Sequence, residues 1–401
     1  MSWVQKKIGD FVEAGIADLQ TGPFGTQLKA SEYTSEGTPV INVRNVGFGD
    51  LRPEKLEYLS DAKVNALRVH VLNESDIVFG RKGAVERHLF VQPAQVGWVQ
   101  GSDCIRLRFT SEEIVPRFIS YAFRRQQHQD WMLAQCGNKA TMHSLNQDVI
   151  KRIPLRIPDA ITQRTIVSKL SAYDDLIENN RRRIALLEEA ASLLYREWFV
   201  HFRFPGNEHI KIIDGVPKGW SNSPMVELAE MVMGQSPKSE FYNMIGEGLP
   251  FHQGVTNYGF RFVSDITYST KVTKIAEAGD ILFSVRAPVG RINITLNKMI
   301  VGRGLSAFRS KKGNQSFLLY QLKNHFFKED LIGSGAIYAA TNKKELEKLE
   351  LLQPTDELVE AFEQYTVPID DQIKALSLKT DQLVKARDLL LPRLMDGRLE
   401  I

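Results

Sequence analysis

Cysteine is nearly absent: Cys104 and Cys136 are the only two in 401 residues, and no C-x-x-C occurs. That scarcity excludes a disulfide framework and a thiolate metal site, and it fits a reducing compartment. The eight histidines are scattered, with no H-x-x-x-H pair on a plausible helix. No apolar run approaches the ~20 residues that a membrane helix needs, and the opening MSWVQKKIGDFVE has no signal-peptide core. A cytoplasmic protein without membrane contact is therefore expected. Neither charge sign dominates, since 51 Lys+Arg face 48 Asp+Glu and leave a net +3; this permits nucleic acid as a partner without requiring it.

Signatures of catalysis are missing as well. There is no G-x-x-x-x-G-K-[ST], no G-x-S-x-G and no H-E-x-x-H. Gly47-Phe-Gly-Asp50 is too short for a dinucleotide fingerprint and lacks the strand–loop–helix context. The Asn-Pro-Pro-aromatic tetrapeptide with which methyltransferases grip a flipped amino base does not occur. Asp and Glu are spread as solvated faces would be. Catalysis by this chain alone is not expected, nor is a bound metal or cofactor.

What is present is a globular composition, 43% hydrophobic and 25% charged, and a length suited to two or three domains. The chain also resembles itself. Asp76–Arg87 is echoed by Asp280–Arg291 at an offset of 204, Trp3 and Glu13 by Trp220 and Glu230 at 217, and Thr38-Pro39 by Leu249-Pro250 at 211. Gly101 aligns with Gly302 at 201, and Asp174-Asp175 with Asp370-Asp371 at 196. The falling offset places small deletions in the loops of the second copy.

Each copy has two parts. Residues 1–159 and 216–355 carry short strand-like runs (Val40–Val43, Asp76–Phe79, Ile105–Phe109, Asp280–Val285) broken by Gly and Pro. The expected fold is α+β, with two mixed domains built on small, half-buried sheets. Residues 160–200 and 356–401 are heptad helices, and 201–215 reads as the linker between copies. In the first helix, Leu170, Ile177, Ile184, Ala191 and Trp198 fill position a, while Ile166, Tyr173, Asn180, Leu187 and Leu194 fill position d. In the second, Thr366, Ile373, Thr380, Arg387 and Leu394 fill a, while Phe362, Ile369, Leu376, Leu383 and Leu390 fill d. About four uninterrupted heptads make this a coiled-coil seam, and each helix of roughly 35 residues should run about 50 Å. Tandem copies can pair these helices antiparallel, giving a dumbbell. In that register Ile184 meets Leu376, Leu187 meets Ile373, Ile177 meets Leu383, Asn180 meets Thr380 and Tyr173 meets Arg387. Pro368 is expected to restart the second helix, with Asp370 and Asp371 in its first turn.

The loops of the globular parts hold the binding chemistry. Thr21–Lys29 joins small residues to exposed donors, ending on Lys29. Ile41–Asn45 sets Asn42 and Arg44 at a strand end, and Arg81, Lys82 and Arg87 lie within seven residues around a glycine. The second copy offers Lys238 after Gly234-Gln-Ser-Pro, then Gln253 and Asn257, Arg286 and Arg291, and Arg303 inside Gly302-Arg-Gly304. Arg, Asn and Gln make bidentate contacts with guanine or adenine edges, while Lys and backbone amides serve phosphates. Taken singly these are ordinary surface charges. As a set at matched positions in two copies they favour binding.

Asp280-Ile-Leu-Phe-Ser-Val-Arg-Ala-Pro-Val-Gly-Arg291, Val301-Gly-Arg-Gly-Leu305 and Met233-Gly-Gln-Ser-Pro237 resemble the specificity subunit of Type I restriction–modification enzymes. The resemblance covers the whole chain, including a C-terminal helix ending in Leu389-Leu-Leu-Pro-Arg-Leu-Met-Asp-Gly-Arg-Leu399. The first copy departs from the pattern at Arg81-Lys-Gly-Ala and at Gly101-Ser-Asp. The resemblance implies a non-catalytic reader of double-stranded DNA. Each target-recognition domain would take one half of an asymmetric bipartite site, and the helices would set the gap. It further implies two methyltransferase subunits that hold S-adenosylmethionine, and restriction/translocase subunits that use ATP and Mg, with no cofactor on this chain. A two-domain protein-binding adaptor with a coiled-coil spacer, and a standalone methyltransferase or nuclease, are the competing readings.

Overall fold

In the computed structural model, residues 3–136, 144–326 and 341–399 are described. The chain divides into two compact units, Met1–Asn179 with Thr380–Ile401, and Asn180–Lys379. Each unit contains the same three kinds of sheet. In the first, Ala17–Thr21, Cys104–Phe109, Ile77–Gly80, His88–Phe90 and Phe48–Gly49 lie side by side in that order. In the second the order is Ala229–Met233, Leu305–Ser310, Ile281–Ser284 and Ile292–Ile294, all antiparallel. A second sheet sets Thr38–Ile41 parallel to Val99–Gln100 in the first unit, and Leu249–His252 parallel to Met299–Val301 in the second. Finally Val4–Lys7 pairs with Pro154–Ile157, and Ser221–Pro224 with Glu350–Gln353. This is the α+β architecture expected from the sequence. The other expected strands shift by one residue at their ends, and one shifts by more: Asn42 and Val43 leave the strand expected over Val40–Val43, and Val43–Asn45 close a single 3-10 turn.

The central strands are unbroken apolar runs because both of their faces are covered. Ile77 and Phe79 join one core with Phe118 and Ile119, while Val78 between them joins another with Ile41 and Leu89. The second unit repeats this division, with Ile281 and Phe283 beside Phe317 and Leu318, and Leu282 beside Met299 and Leu305. A buried aspartate opens each strand and explains the strongest echo in the sequence. Asp76 accepts the Asn73 N–H at 2.7 Å and both nitrogens of Arg108 at 2.6 Å. Asp280 accepts the Glu277 N–H at 2.8 Å and the Arg309 fork at 2.7 and 2.9 Å. A buried carboxylate persists only with such partners, so turn, strand and neighbouring arginine repeat together.

Two 40-residue helices, Ala160–Phe199 and Asp356–Met395, complete the fold. Within each unit, segments of the two helices pack antiparallel along apolar seam positions, as the heptads predict. In the second unit Ile184 packs with Ile373 and Leu376, flanked by Leu187 and Ile369. In the first unit Ile166 and Leu170 share a core with Leu391 and Leu394. The restart expected at Pro368 does not occur, and the helix runs through it from Asp356. Proline removes one amide donor, but Pro368 and Gln364, whose carbonyl loses its partner, are both exposed, so water can take the bond. Buried Phe362 and Thr366 hold the opposite side of the same turns. The stretch 201–215 brings Phe202 and Phe204 onto Trp220, with ring centroids 5.4 Å apart in each case.

Candidate nucleic-acid interface

Four loops of the second unit are tied into one knot by main-chain bonds. Gly234 N–H donates to Leu305 O at 3.0 Å, and Gln235 N–H to Val301 O at 2.8 Å. Gly302 N–H donates to His252 O at 2.8 Å, Gly304 N–H to Gln253 O at 3.0 Å, and Val285 N–H to Gly304 O at 2.9 Å. Arg303 N–H reaches the Ser236 hydroxyl at 3.2 Å. Only glycine permits this approach, since a Cβ on Gly234 would lie 2.1 Å from Gly302 O and one on Gly302 2.6 Å from Gln253 Cα. The knot brings together Lys238, Gln253, Arg286 and Arg303, all exposed. Arg291 is exposed at the base of the same hairpin, where its N–H donates to the Ser284 hydroxyl at 2.8 Å. Asn257 stands apart in the next turn, its carbonyl accepting Ser264 N–H at 3.0 Å. Among the described residues, no carboxylate pairs with Arg286, Arg291 or Arg303. Lys238 lies 4.0 Å from Glu240, with both side chains mostly in solvent.

The first unit has the same junction with a different charge arrangement. A Cβ on Gly22 would lie 2.0 Å from Gly101 O, and Gly22 N–H donates to Cys104 O at 2.9 Å. Here three of the nominated cations, Arg44, Lys82 and Arg87, have acidic partners. Arg44 pairs with Glu57 at 2.7 Å, and Asn42 Nδ2 donates to the same carboxylate at 2.7 Å. Lys82 pairs with Asp103 at 3.1 Å, and Arg87 sits 3.7 Å from Glu86 and 5.4 Å from the centre of the Phe48 ring. Arg81 is half-buried, with its main chain bonded to Asp103 and Leu145. Lys29 is exposed and outside the junction, its N–H donating to Glu32 at 2.7 Å.

Sequence reasoning missed two cations in the second unit. Lys274 is exposed, and its carbonyl accepts Val301 N–H at 2.8 Å, next to the Gly302–Gly304 turn. Arg261 is 4% exposed and faces both helices. The repeat gives no signal for it, because Asn45-Val-Gly-Phe-Gly49 aligns with Asn257-Tyr-Gly-Phe-Arg261 at an offset of 212 and pairs Arg261 with a glycine.

Helix-borne carboxylates anchor each globular part. In the first unit Asp174 accepts the Tyr121 hydroxyl at 2.7 Å, Arg124 at 3.1 Å, Arg117 at 3.3 Å and Arg387 at 2.8 Å. Burial alone would raise this carboxyl, but Arg124 together with the Arg387 and Tyr121 bonds holds it below the ordinary value. In the second unit Asp370 takes the place of Asp174, and Glu188 is held below its ordinary value against burial by Lys323 and Arg261. Arg387 therefore spends its guanidinium on Asp174 and Asp388, not on the Tyr173 ring expected opposite it. Of the other seam positions, Ile177, Ile184, Ile373, Leu376, Asn180 and Thr380 are buried, and Tyr173, Leu187 and Leu383 half-buried. The Asn180 Nδ2 is buried without a hydrogen-bond partner among the described residues.

Residues 2–189 and 217–365 match the model of a family described as the Type I restriction modification DNA specificity domain. A chain of Methanocaldococcus jannaschii assigned as the type I restriction enzyme MjaX specificity subunit is 28% identical over 377 residues, 91% of this chain and 88% of that one. The type I restriction enzyme HindI specificity subunit of Haemophilus influenzae is 21% identical over 434 residues, 89% of this chain and 94% of that one. Among solved structures, the Type-I restriction-modification system S subunit from M. genitalium shares the fold, with a TM-score of 0.61 at 15% identity over 98% of this chain and 96% of its own.

Proposed function

This chain belongs to the family of Type I restriction modification DNA specificity domains, and on that premise we propose how it reads DNA. It is the specificity subunit of a restriction–modification complex, associating with the other subunits and with DNA, and it does no chemistry itself. Each globular part reads one half of an asymmetric bipartite site, and the paired helices set the unread gap. Two methyltransferase subunits, which hold the methyl donor, flip and modify one adenine in each half. Restriction/translocase subunits supply the ATP and Mg chemistry. No helix among the described residues is long and apolar enough to cross a membrane.

One observation supports this reading: the four-loop knot of the second unit holds exposed arginines that have no acidic partner among the described residues, beside an exposed glutamine. Arginines left unpaired on a rigid loop are free to take guanine edges or phosphates. Lys29, Asn42, Arg44, Arg81, Lys82 and Arg87 are the corresponding DNA contacts of the first unit. Lys238, Gln253, Asn257, Arg286, Arg291 and Arg303 serve the second.

The test uses the purified chain together with its methyltransferase partner, titrated with cognate and scrambled duplexes over a range of salt. Arg286→Ala or Arg303→Ala should cost roughly 1–3 kcal/mol on the cognate duplex and relax one half-site only. Lys238→Ala should weaken all duplexes alike and lower the salt slope by about one. A complex that retains DNA without sequence preference, or prefers a protein partner to any duplex, would favour an adaptor instead.

A further inference from the structure

The loop that carries Gln253 and Asn257 continues into a tight hairpin, Tyr258–Val263, whose ends face each other across an antiparallel bridge. Gly259 N–H donates to Phe262 O at 3.1 Å, and a Cβ on Gly259 would come within 2.5 Å of that oxygen. The hairpin is pinned to the Ile292–Ile294 strand by the Ile294 N–H, which donates to Arg261 O at 2.9 Å. Asn293 Nδ2 adds a bond to Gly259 O at 2.9 Å. Phe262 packs against Ile184, Ile373 and Leu376 of the two helices. Beside it, the Arg261 guanidinium donates to Glu188 on one helix and, at 2.5 Å, to Asp370 on the other. The Tyr320 hydroxyl accepts from Arg261 at 3.1 Å and donates to Asp370 at 2.8 Å, and Lys323 closes the cluster on Glu188 at 2.6 Å. Two carboxylates and two cations balance, which is how this charge tolerates burial.

The first unit fills the same spot from elsewhere. The 212 offset puts Gly49 where the second copy has Arg261, and offset 199, which aligns Tyr121 with Tyr320, puts Arg124 where the second copy has Lys323. Arg124 reaches Asp174 at 3.1 Å and passes so close to Gly49 that a Cβ there would meet its Nε at 2.4 Å. In the first copy, then, the guanidinium comes from a helix end and the loop merely lies on it. In the second copy the loop itself supplies the guanidinium.

We infer that Arg261 is a positioning residue for recognition: it locks the reading loop of the second unit to both helices and so holds Gln253 and Asn257 in register with the half-site. The inference rests on the reading of this unit as a DNA reader and names a residue that need not touch DNA. A planar fork can span two carboxylates on separate helices, which an ammonium cannot.

The experiment takes the whole complex with its methyltransferase, lets it modify a duplex library randomised across the target, and sequences the modified fraction. Arg261→Lys keeps the charge and loses the fork, Arg261→Gln loses both, and Arg124→Lys is the matched change in the first unit. Arg261→Lys should lower discrimination at the second half-site, or relax its distance from the first, by about tenfold, with the first half-site unchanged. A modified fraction that shrinks while keeping the wild-type base preferences and spacing would show a structural residue only and overturn the clamp. Unchanged preferences in a soluble Arg261→Gln complex would overturn it too. If the wild-type complex selects no motif, the DNA-reading assignment fails first and the clamp falls with it.

Discussion

Gly234→Ala places one methyl group where the structure has no room for it. The new Cβ would stand 2.1 Å from Gly302 O and 2.8 Å from Leu305 O, both main-chain atoms that cannot rotate away. Gly234 does not occupy a left-handed conformation, so the cost is steric and not conformational. Restoring an ordinary contact requires the Gly234–Pro237 and Gly302–Gly304 loops to separate by about 1 Å. That movement breaks or stretches the bonds from Gly234 N–H, Gln235 N–H and Arg303 N–H, at 3.0, 2.8 and 3.2 Å. At about 1 kcal/mol net for each, the second unit loses roughly 2–3 kcal/mol. A unit of this size should then melt about 5–10 °C lower in calorimetry. Because Arg303 and Gln253 ride on the displaced loops, cognate affinity should fall about tenfold or more, through the second half-site alone. Gly254→Ala is the control, since its Cβ would meet nothing within 4 Å and its melting should match wild type. A Gly234→Ala complex with wild-type melting and wild-type target affinity would refute the idea that this glycine contact shapes the reading surface.

Arg44→Ala should cost less DNA affinity than Arg303→Ala, under about threefold by anisotropy titration, because Arg44 is already neutralised by Glu57 and exposed pairs are worth little. Glu363 has burial as the main cause of a carboxyl raised to about 6, with Asp370 adding to it. Its folded state therefore binds protons more readily than the unfolded chain, so ionisation above pH 6 costs stability and protonation toward pH 4.5 relieves it. Glu363→Gln should stabilise at pH 7.5 by about 1 kcal/mol after allowance for solvent screening, with the gain vanishing near pH 4.5 in denaturant titrations. Asp174→Asn should behave oppositely, destabilising at neutral pH and converging with wild type as the pH drops below the lowered Asp174 value.

Features that repeat were legible in the sequence, and features that compensate were not. Asp76 and Asp280 could be matched because each opens a strand of the same register, and Gly101 and Gly302 because a glycine contact tolerates nothing else. The helices announced themselves through heptads. Arg261 escaped notice because its counterpart is a glycine, and only the three-dimensional packing shows Arg124 filling the space that glycine leaves. Arg44 and Lys82 looked as free as Arg286 and Arg303, since Glu57 and Asp103 lie far along the chain from their partners. Pro368 looked like a boundary, and its exposed side made it harmless.

The central claim is that this chain chooses the DNA sequence for a methyltransferase partner, with its second unit reading one half-site. The most direct measurement is methylome sequencing of a host lacking other modification systems that expresses the partner with this chain, or with its Arg286→Ala/Arg303→Ala form. Wild type should yield one asymmetric bipartite motif, and the variant should degrade one half of it while keeping the other half and the gap. Methylation that needs no copy of this chain, or a motif that the double substitution leaves intact in both halves, would contradict the account.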